Sequence, residues 1–92
     1  MMKMEVEVFS TTINAAVIRV PGRQFPGLVI QGDSLKILFQ CAQEILRESQ
    51  SSGSADLIES AIEMKEIFAG YLEAYESALK GHGHPMPYVR TT

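Results

Sequence analysis

Ser34 is the residue with the clearest potential for covalent chemistry. It follows Gly32 and Asp33, where a short apolar run gives way to a helical pattern. A serine exposed at a strand-to-helix turn can act as a nucleophile if a base and an oxyanion hole lie beside it. The same position also suits helix capping, because an aspartate can accept hydrogen bonds from the first-turn N–H groups. We expect Asp33 to cap the helix and Ser34 to lie in its first turn.

The block Gly32-Asp-Ser-Leu35 is similar to the nucleophile block of the lipase and esterase family named after it. That family places its histidine in an Asp-x-x-His block near the C-terminus, whereas His82 and His84 have no aspartate three residues before them. The chain is also less than half the length that such a fold requires. A minimal serine hydrolase using Ser34 is therefore an alternative that we rank below a non-catalytic role.

Two further sets of polar residues could hold a ligand. His82 and His84 could both bind a metal, but two histidines on a glycine-flanked tail form an open and weak site, so we predict no metal. Arg19 and Arg23 could grip an anion or a partner's carboxylate. We predict that a partner or ligand surface is formed by Arg19, Arg23, Gln31 and Asp33. A small-ligand or metal-binding module remains open as an alternative, and no cofactor is expected.

Composition narrows the class of protein. The 92 residues have a net charge of −3 and scattered basic residues, which disfavours direct nucleic-acid binding. The single cysteine excludes an intrachain disulfide and fits a reducing compartment. The N-terminus alternates instead of forming the apolar run of a signal peptide, and no segment reaches the roughly 20 apolar residues of a membrane span. We expect a cytoplasmic protein with no membrane contact.

The elements that must position these residues begin with strands. Residues 2–9 alternate with period two, residues 10–14 have turn chemistry with Asn14 suited to a left-handed backbone, and residues 15–20 are β-branched. Together they predict a β-hairpin. Pro21-Gly22 and Pro26-Gly27 predict two successive turns, with Phe25 between them returning to the core. A third strand follows at residues 28–30, so the β segment spans 2–31.

Helical patterns occupy most of the remaining chain. Gly32 is expected to make the turn into helix 33–49, which shows one apolar face: Leu35, Leu38, Phe39, Ala42, Ile45 and Leu46. A polar connector with Ser54 as N-cap leads to helix 54–80, with Gly81 as its C-cap. Residues 81–92 are expected to form an extended tail docked through Tyr88.

The second helix has the most regular apolar pattern. Its residues are spaced by four and three over three heptads, which is typical of a helix–helix seam: Leu57, Ala61, Met64, Phe68, Tyr71 and Tyr75. Ile58, Ile62, Leu72 and Leu79 widen the stripe, so the helix is expected to touch two surfaces. A small domain with these surfaces and five methionines favours a homodimer. The fold prediction is a single α+β domain over 1–92, βββαα, with a three-stranded antiparallel sheet and an αα-hairpin in two layers.

The segment from Phe25 to Leu46 resembles the core motif of HicB-like antitoxins. It contains Phe25-Pro-Gly-x-x-x-Gln-Gly-Asp-Ser-Leu35 followed by Ala42, Glu44 and Leu46, and the preceding hairpin agrees with that family's three-strand start. The resemblance implies a non-catalytic scaffold that covers a small basic RNA-cleaving toxin, often as an oligomer. The chain departs from the family in having a long heptad helix in place of a fourth strand and a DNA-binding segment.

The whole chain also looks like small uncharacterised bacterial proteins that carry Pro-Gly-Arg-x-Phe-Pro-Gly with Gln-Gly-Asp-Ser-Leu and end near Pro-Tyr. From these patterns we expect a small, non-catalytic interaction protein that self-associates through its last helix. The expected partners are a second copy of the chain and a small basic protein, as for an antitoxin- or immunity-like protein.

Overall fold

The computed structural model describes residues 1–89. The elements follow the order β1 (Glu7–Ile13), β2 (Ala15–Arg19), β3 (Gly27–Ile30), α1 (Gly32–Ser49) and α2 (Ala55–Gly81). The strands form one antiparallel sheet in the order β1-β2-β3, which confirms the predicted α+β class and the βββαα order. The chain divides into two compact units, residues 1–31 and the residues from Gly32 onward. The expected single domain and two-layer arrangement stay predictions.

The first hairpin begins later than its sequence pattern suggests. β1 starts at Glu7 rather than at residue 2, and it continues to Ile13 through the segment predicted as a turn. The reversal is confined to Asn14, flanked by the pair Ile13 and Ala15. No described non-glycine residue has a positive φ, so Asn14 does not adopt the left-handed backbone conformation expected of it.

β1 is irregular where its hydroxyl side chains lie. Its pairing with β2 shifts register between Val8 and Ser10 and again between Ser10 and Ile13. The Ser10 hydroxyl accepts a hydrogen bond from the Thr12 backbone N–H at 3.3 Å and lies 3.0 Å from the Thr12 hydroxyl. Serine and threonine side chains that bond to nearby backbone compete with the strand ladder. The alternation that predicts a strand is therefore interrupted by local side-chain chemistry.

Only one of the two Pro-Gly pairs makes a turn of the expected kind. Gly22 has a φ of 87°, and the Arg23 N–H donates to the Val20 carbonyl at 3.1 Å, as in a type II turn with proline at its second position. Gly27, in contrast, is the first residue of β3 and pairs with Ile18. The expected return of Phe25 to the core is also wrong, since its side chain is 74% exposed.

The two helices pack against each other as an αα-hairpin. The most buried side chains of the two helices are two alanines, Ala42 and Ala61, which are 0% and 2% exposed. Leu35 and Leu72 are buried as well. Small side chains at the centre allow a short interaxial distance, since that distance depends on the residues at the contact. On α1 the predicted apolar face is too wide, because Leu38 and Ile45 remain exposed.

Hydrogen bonds from serine side chains mark the end of α1 and the start of α2. Ser49 is buried, and its hydroxyl donates to the Leu46 carbonyl at 2.7 Å. Ser54 caps α2 as predicted, because its Oγ accepts the Leu57 N–H at 3.2 Å.

The end of α2 differs from the prediction. Gly81 is the last helical residue, and the left-handed position is Gly83, with a φ of 64°. The His84 N–H donates to the Leu79 carbonyl and the Gly83 N–H to the Lys80 carbonyl, which together form a Schellman motif. The predicted extended tail therefore starts only after Gly83, and residues 90–92 of it lie outside the described residues. Within residues 1–89, neither helix has the length and apolar character that a membrane span requires.

Candidate functional site

Gly32 occupies a position that no larger residue could fill without movement. Its backbone lies against the ring of Tyr75, and a β-carbon at Gly32 would overlap that ring. The backbone φ of Gly32 is not positive, so the glycine is required by the close approach of Tyr75 and not by the turn. This contact joins the start of α1 to the C-terminal half of α2. The expectation that Gly32 provides a turn is thus corrected by the packing.

Asp33 and Ser34 follow Gly32 in the first turn of α1. An oxygen of the Asp33 carboxylate accepts the Ser34 N–H at 2.8 Å. The carboxylate therefore does lie near the positive end of the helix, but it bonds to the adjacent residue instead of the N–H groups two or three positions on. Ser34 is half-buried in this turn. The Gly32-Asp33-Ser34 motif is therefore explained by its position at the start of α1.

The C-terminal tail returns to the helices through Tyr88. Its hydroxyl donates to the Glu76 carboxylate at 2.8 Å. The Lys36 ammonium lies 5.2 Å from the centre of the Tyr88 ring and 5.7 Å from that of Phe39, within the range of cation–π attraction. These four residues tie the tail to both helices. Sequence reasoning pointed to Tyr88 but offered no sign that Lys36 or Glu76 would receive it.

Arg19, the first residue predicted for a partner surface, pairs within the sheet. Its guanidinium donates to both Glu7 carboxylate oxygens at 2.6 Å, and the two residues are opposite one another on β2 and β1. The guanidinium also lies 6.0 Å from the centre of the Phe9 ring. A pair of this kind occupies N–H donors at the edge of the guanidinium that would otherwise be available to an anion.

Arg23 and Gln31 line two different hollows of the sheet unit. Arg23 borders a shallow cavity of about 300 Å³, whose other walls include Ile18, Phe25 and Leu28. Gln31 borders a smaller one of about 200 Å³ beside Ile13. The four predicted surface residues thus do not form one cluster within the sheet unit, and Asp33 belongs to the helical unit. Their role in binding stays a prediction.

The predicted seam of α2 divides into two stripes. Ala61 is buried, and Phe68 and Tyr75 are half-buried together with Leu72 at 5% exposure. We call these four residues the inner stripe. The other three seam residues fall on the adjacent side, where Leu57 and Tyr71 are 45% and 60% exposed and Met64 is half-buried. A strict heptad therefore describes the spacing correctly, but its members differ in exposure: Leu57 and Tyr71 are exposed, whereas the other four are buried or half-buried.

Ile67 completes the exposed side, at 46% exposure. We call Leu57, Met64, Ile67 and Tyr71 the outer stripe. Their spacings of seven, three and four residues keep them on one side of a helix with 3.6 residues per turn. Sequence reasoning missed Ile67 because it took one residue from each half-heptad, although the wider apolar pattern did indicate a second surface.

Metal binding was one of the alternatives. Among residues 1–89, no three His, Cys, Asp or Glu side chains are placed so that they could share a metal ion. His82 is the capping residue of α2, and the Nδ1 of His84 lies 2.8 Å from the Pro85 carbonyl oxygen. Cys41 is an exposed free thiol. The outer stripe of α2 is an apolar feature with potential for recognition.

Comparison with known proteins adds a family but no activity. No curated protein and no solved structure matches the chain. A family model does match, and it covers residues 1–88, from the first methionine through the tail tyrosine. On this match the chain belongs to the family of unknown function DUF6959.

Proposed function

We propose that the protein is a small, non-catalytic interaction module of the cytoplasm that self-associates through the outer stripe of α2. The observation that carries this proposal is the division of the seam. α2 has two adjacent apolar stripes over 27 residues; the inner one contains the buried Ala61 and Leu72, and the outer one contains the exposed Leu57, Ile67 and Tyr71. An apolar stripe left exposed on a long regular helix is typical of a surface that packs against another helix.

A second copy of the chain is the natural occupant of the outer stripe. Two copies related by a twofold axis present the same stripe to each other, so the contact is self-complementary. Leu57, Met64 and Tyr71 recur every seven residues, the period at which helices maintain contact along their length. Ile67 lies between Met64 and Tyr71 and would be within such an interface.

The kind of further partner is suggested by charge and by resemblance. Residues 32–89 contain nine Asp and Glu but only four Lys and Arg. An acidic surface of this kind attracts a basic protein and accelerates its association. The HicB-like motif at residues 25–46 also favours a basic protein as partner, since proteins of that family cover small basic toxins. We therefore propose a small basic protein as partner, in an antitoxin- or immunity-like role.

Self-association is tested by one charged substitution in the outer stripe. In sedimentation velocity, Ile67→Glu is expected to lower the mass of the wild-type assembly, because it buries a carboxylate in an apolar contact. Ile62→Glu is the matched control. Ile62 is 40% exposed on the same helix but lies about 140° around it from Ile67, so this variant is expected to keep the wild-type mass. Equal masses for wild type, Ile67→Glu and Ile62→Glu would exclude the helix contact.

The basic partner is tested separately. Tagged chain is expected to retain one small basic protein from a lysate of the source organism in a 1:1 ratio, and the yield should fall as salt is raised from about 0.05 to 0.5 M, since charge attraction is screened. Reversing three exposed carboxylates of α2, Glu59→Lys, Glu66→Lys and Glu73→Lys, should abolish this retention. A retained protein that is acidic, or indifferent to these changes, would contradict the antitoxin-like role.

A further inference from the structure

The C-terminal tail places one tyrosine between groups from both helices. The Tyr88 hydroxyl donates to the Glu76 carboxylate of α2 at 2.8 Å, and the Lys36 ammonium of α1 lies 5.2 Å from the centre of the Tyr88 ring. All three side chains are half-buried and belong to the compact unit that begins at Gly32. The contacts among them therefore lie within one unit and do not involve the sheet.

The two contacts recognise two different parts of a tyrosine side chain. A carboxylate accepts the phenol O–H, which phenylalanine lacks, and an ammonium is attracted to the face of the ring, which serine and threonine lack. The ring centre of Phe39 lies 5.7 Å from the same Lys36 ammonium, so two rings share the cation. Hydrogen bonds to a carboxylate are also stronger than bonds between neutral groups. The arrangement is thus selective for a phenol.

Alternate side chains attach the tail to the helices. The Schellman motif at the end of α2 closes with the His84 N–H, and the following Pro85 and Pro87 have no N–H to donate. Met86 and Tyr88 are half-buried, whereas the two prolines are exposed. Among residues 1–89, the buried apolar side chains all lie within α1 and α2. The core between the helices therefore does not include the tail.

We infer that Lys36, Phe39 and Glu76 form a binding site for a tyrosine on an extended segment, and that the tail occupies this site as a displaceable strap. The ligand of the site is a tyrosine side chain, which this chain supplies as Tyr88. A partner protein that presents a tyrosine after a proline, as Pro87 precedes Tyr88, would compete with the strap, since proline-containing segments are already extended. This site is separate from the self-association surface proposed above, because none of its residues belongs to the outer stripe.

The site is tested by emptying it in the full chain and offering a free phenol. In an NMR titration, Tyr88→Gly is expected to bind p-cresol, the free equivalent of a tyrosine side chain, with a dissociation constant on the order of 1 mM. Toluene lacks the hydroxyl and should bind about tenfold more weakly. The wild-type chain, whose site is filled, should bind neither. Equal binding of p-cresol and toluene, or no binding of p-cresol to Tyr88→Gly, would overturn the inference.

Substitutions in the Tyr88→Gly background test which groups recognise the phenol. Lys36→Met and Glu76→Met should each weaken p-cresol binding at least about threefold, because one removes the cation and the other removes the acceptor. The matched controls on α2 are Lys65→Met, which changes another half-buried lysine, and Glu66→Met. Both controls should keep the affinity of the background. Equal losses in the controls and in the site variants would contradict the assignment of the site.

Displacement of the strap is tested in the otherwise unchanged chain. Tyrosines are replaced by 3-fluorotyrosine, and the ¹⁹F resonance of Tyr88 is identified by its loss in Tyr88→Phe. A peptide with the sequence of residues 84–89, added at the millimolar effective concentration of a tethered segment, should shift this resonance toward that of free tyrosine. The same peptide with phenylalanine in place of tyrosine should not. Equal effects of the two peptides, or loss of helical circular dichroism in Tyr88→Gly, would overturn the displaceable strap.

Discussion

The helical unit and the sheet unit differ in how far they bury their apolar side chains. The helices bury Leu35, Ala42, Ala61 and Leu72 between themselves. No residue among 1–31 is buried, and large apolar side chains such as Phe9, Phe25 and Leu28 are more than half exposed. Two long helices can close a core along one stripe each, whereas strands of seven, five and four residues cannot close one by themselves. Among the described residues, the buried side chains are therefore concentrated in the helical unit.

The largest expected effect concerns the helical core. Leu72→Ala should lower the free energy of unfolding by about 3 kcal/mol, because it leaves a cavity between the helices. Leu57→Ala removes the same atoms from the exposed outer stripe and should cost the isolated chain no more than about 0.5 kcal/mol. Urea titration of both variants at low protein concentration, followed by helical circular dichroism, checks this difference. Equal costs would contradict the difference in burial between the two stripes, and a larger cost for Leu57→Ala would mean that they have been assigned to the wrong sides.

A smaller effect is expected where α1 meets the ring of Tyr75. Gly32→Ala should destabilise the chain by about 1–3 kcal/mol, because the new methyl group forces the ring to move. Gly70→Ala is the matched control within α2, where a β-carbon would meet open space. It should stabilise the chain by about 0.5–1 kcal/mol through helix propensity. Thermal unfolding should thus shift in opposite directions for the two substitutions, and a stabilising Gly32→Ala would contradict the close approach.

The smallest expected effect concerns the ion pair between β1 and β2 of the sheet. Glu7→Gln removes the bidentate pair with Arg19, and because the two side chains are 60% and 35% exposed, the expected cost is only about 0.5 kcal/mol and should vanish at high salt. The measurement is amide hydrogen exchange in β2, which should become faster while exchange in α2 is unchanged. Glu44→Gln, which breaks the looser pair with Arg47, is the control and should change neither. Faster exchange in both units would show that they unfold together.

Several predictions from sequence failed for one reason, that local chemistry and packing compete at the same residue. Gly81 and Gly83 both satisfy the pattern of a helix end, and the bonds from His84 and Gly83 to the last turn select the second. Phe25 has the hydrophobicity of a core residue, but its side chain is exposed. Its burial depends on whether another part of the chain packs over this bend, and the sequence pattern does not give that information. Gly32 was correctly identified as special, and only the position of Tyr75 gives the cause.

The amino-acid sequence by itself determined the kinds and order of the elements, because period-two and period-3.6 patterns, proline, glycine and capping residues act over a few neighbouring positions. It determined the βββαα order, the Ser54 cap, the turn at Gly22 and the heptad spacing of α2. Which side of α2 meets α1 was decided only by tertiary structure. A helix with two adjacent apolar stripes offers two nearly equivalent solutions, and the burial of Ala42 and Ala61 and the ring of Tyr75 on Gly32 show which one is adopted.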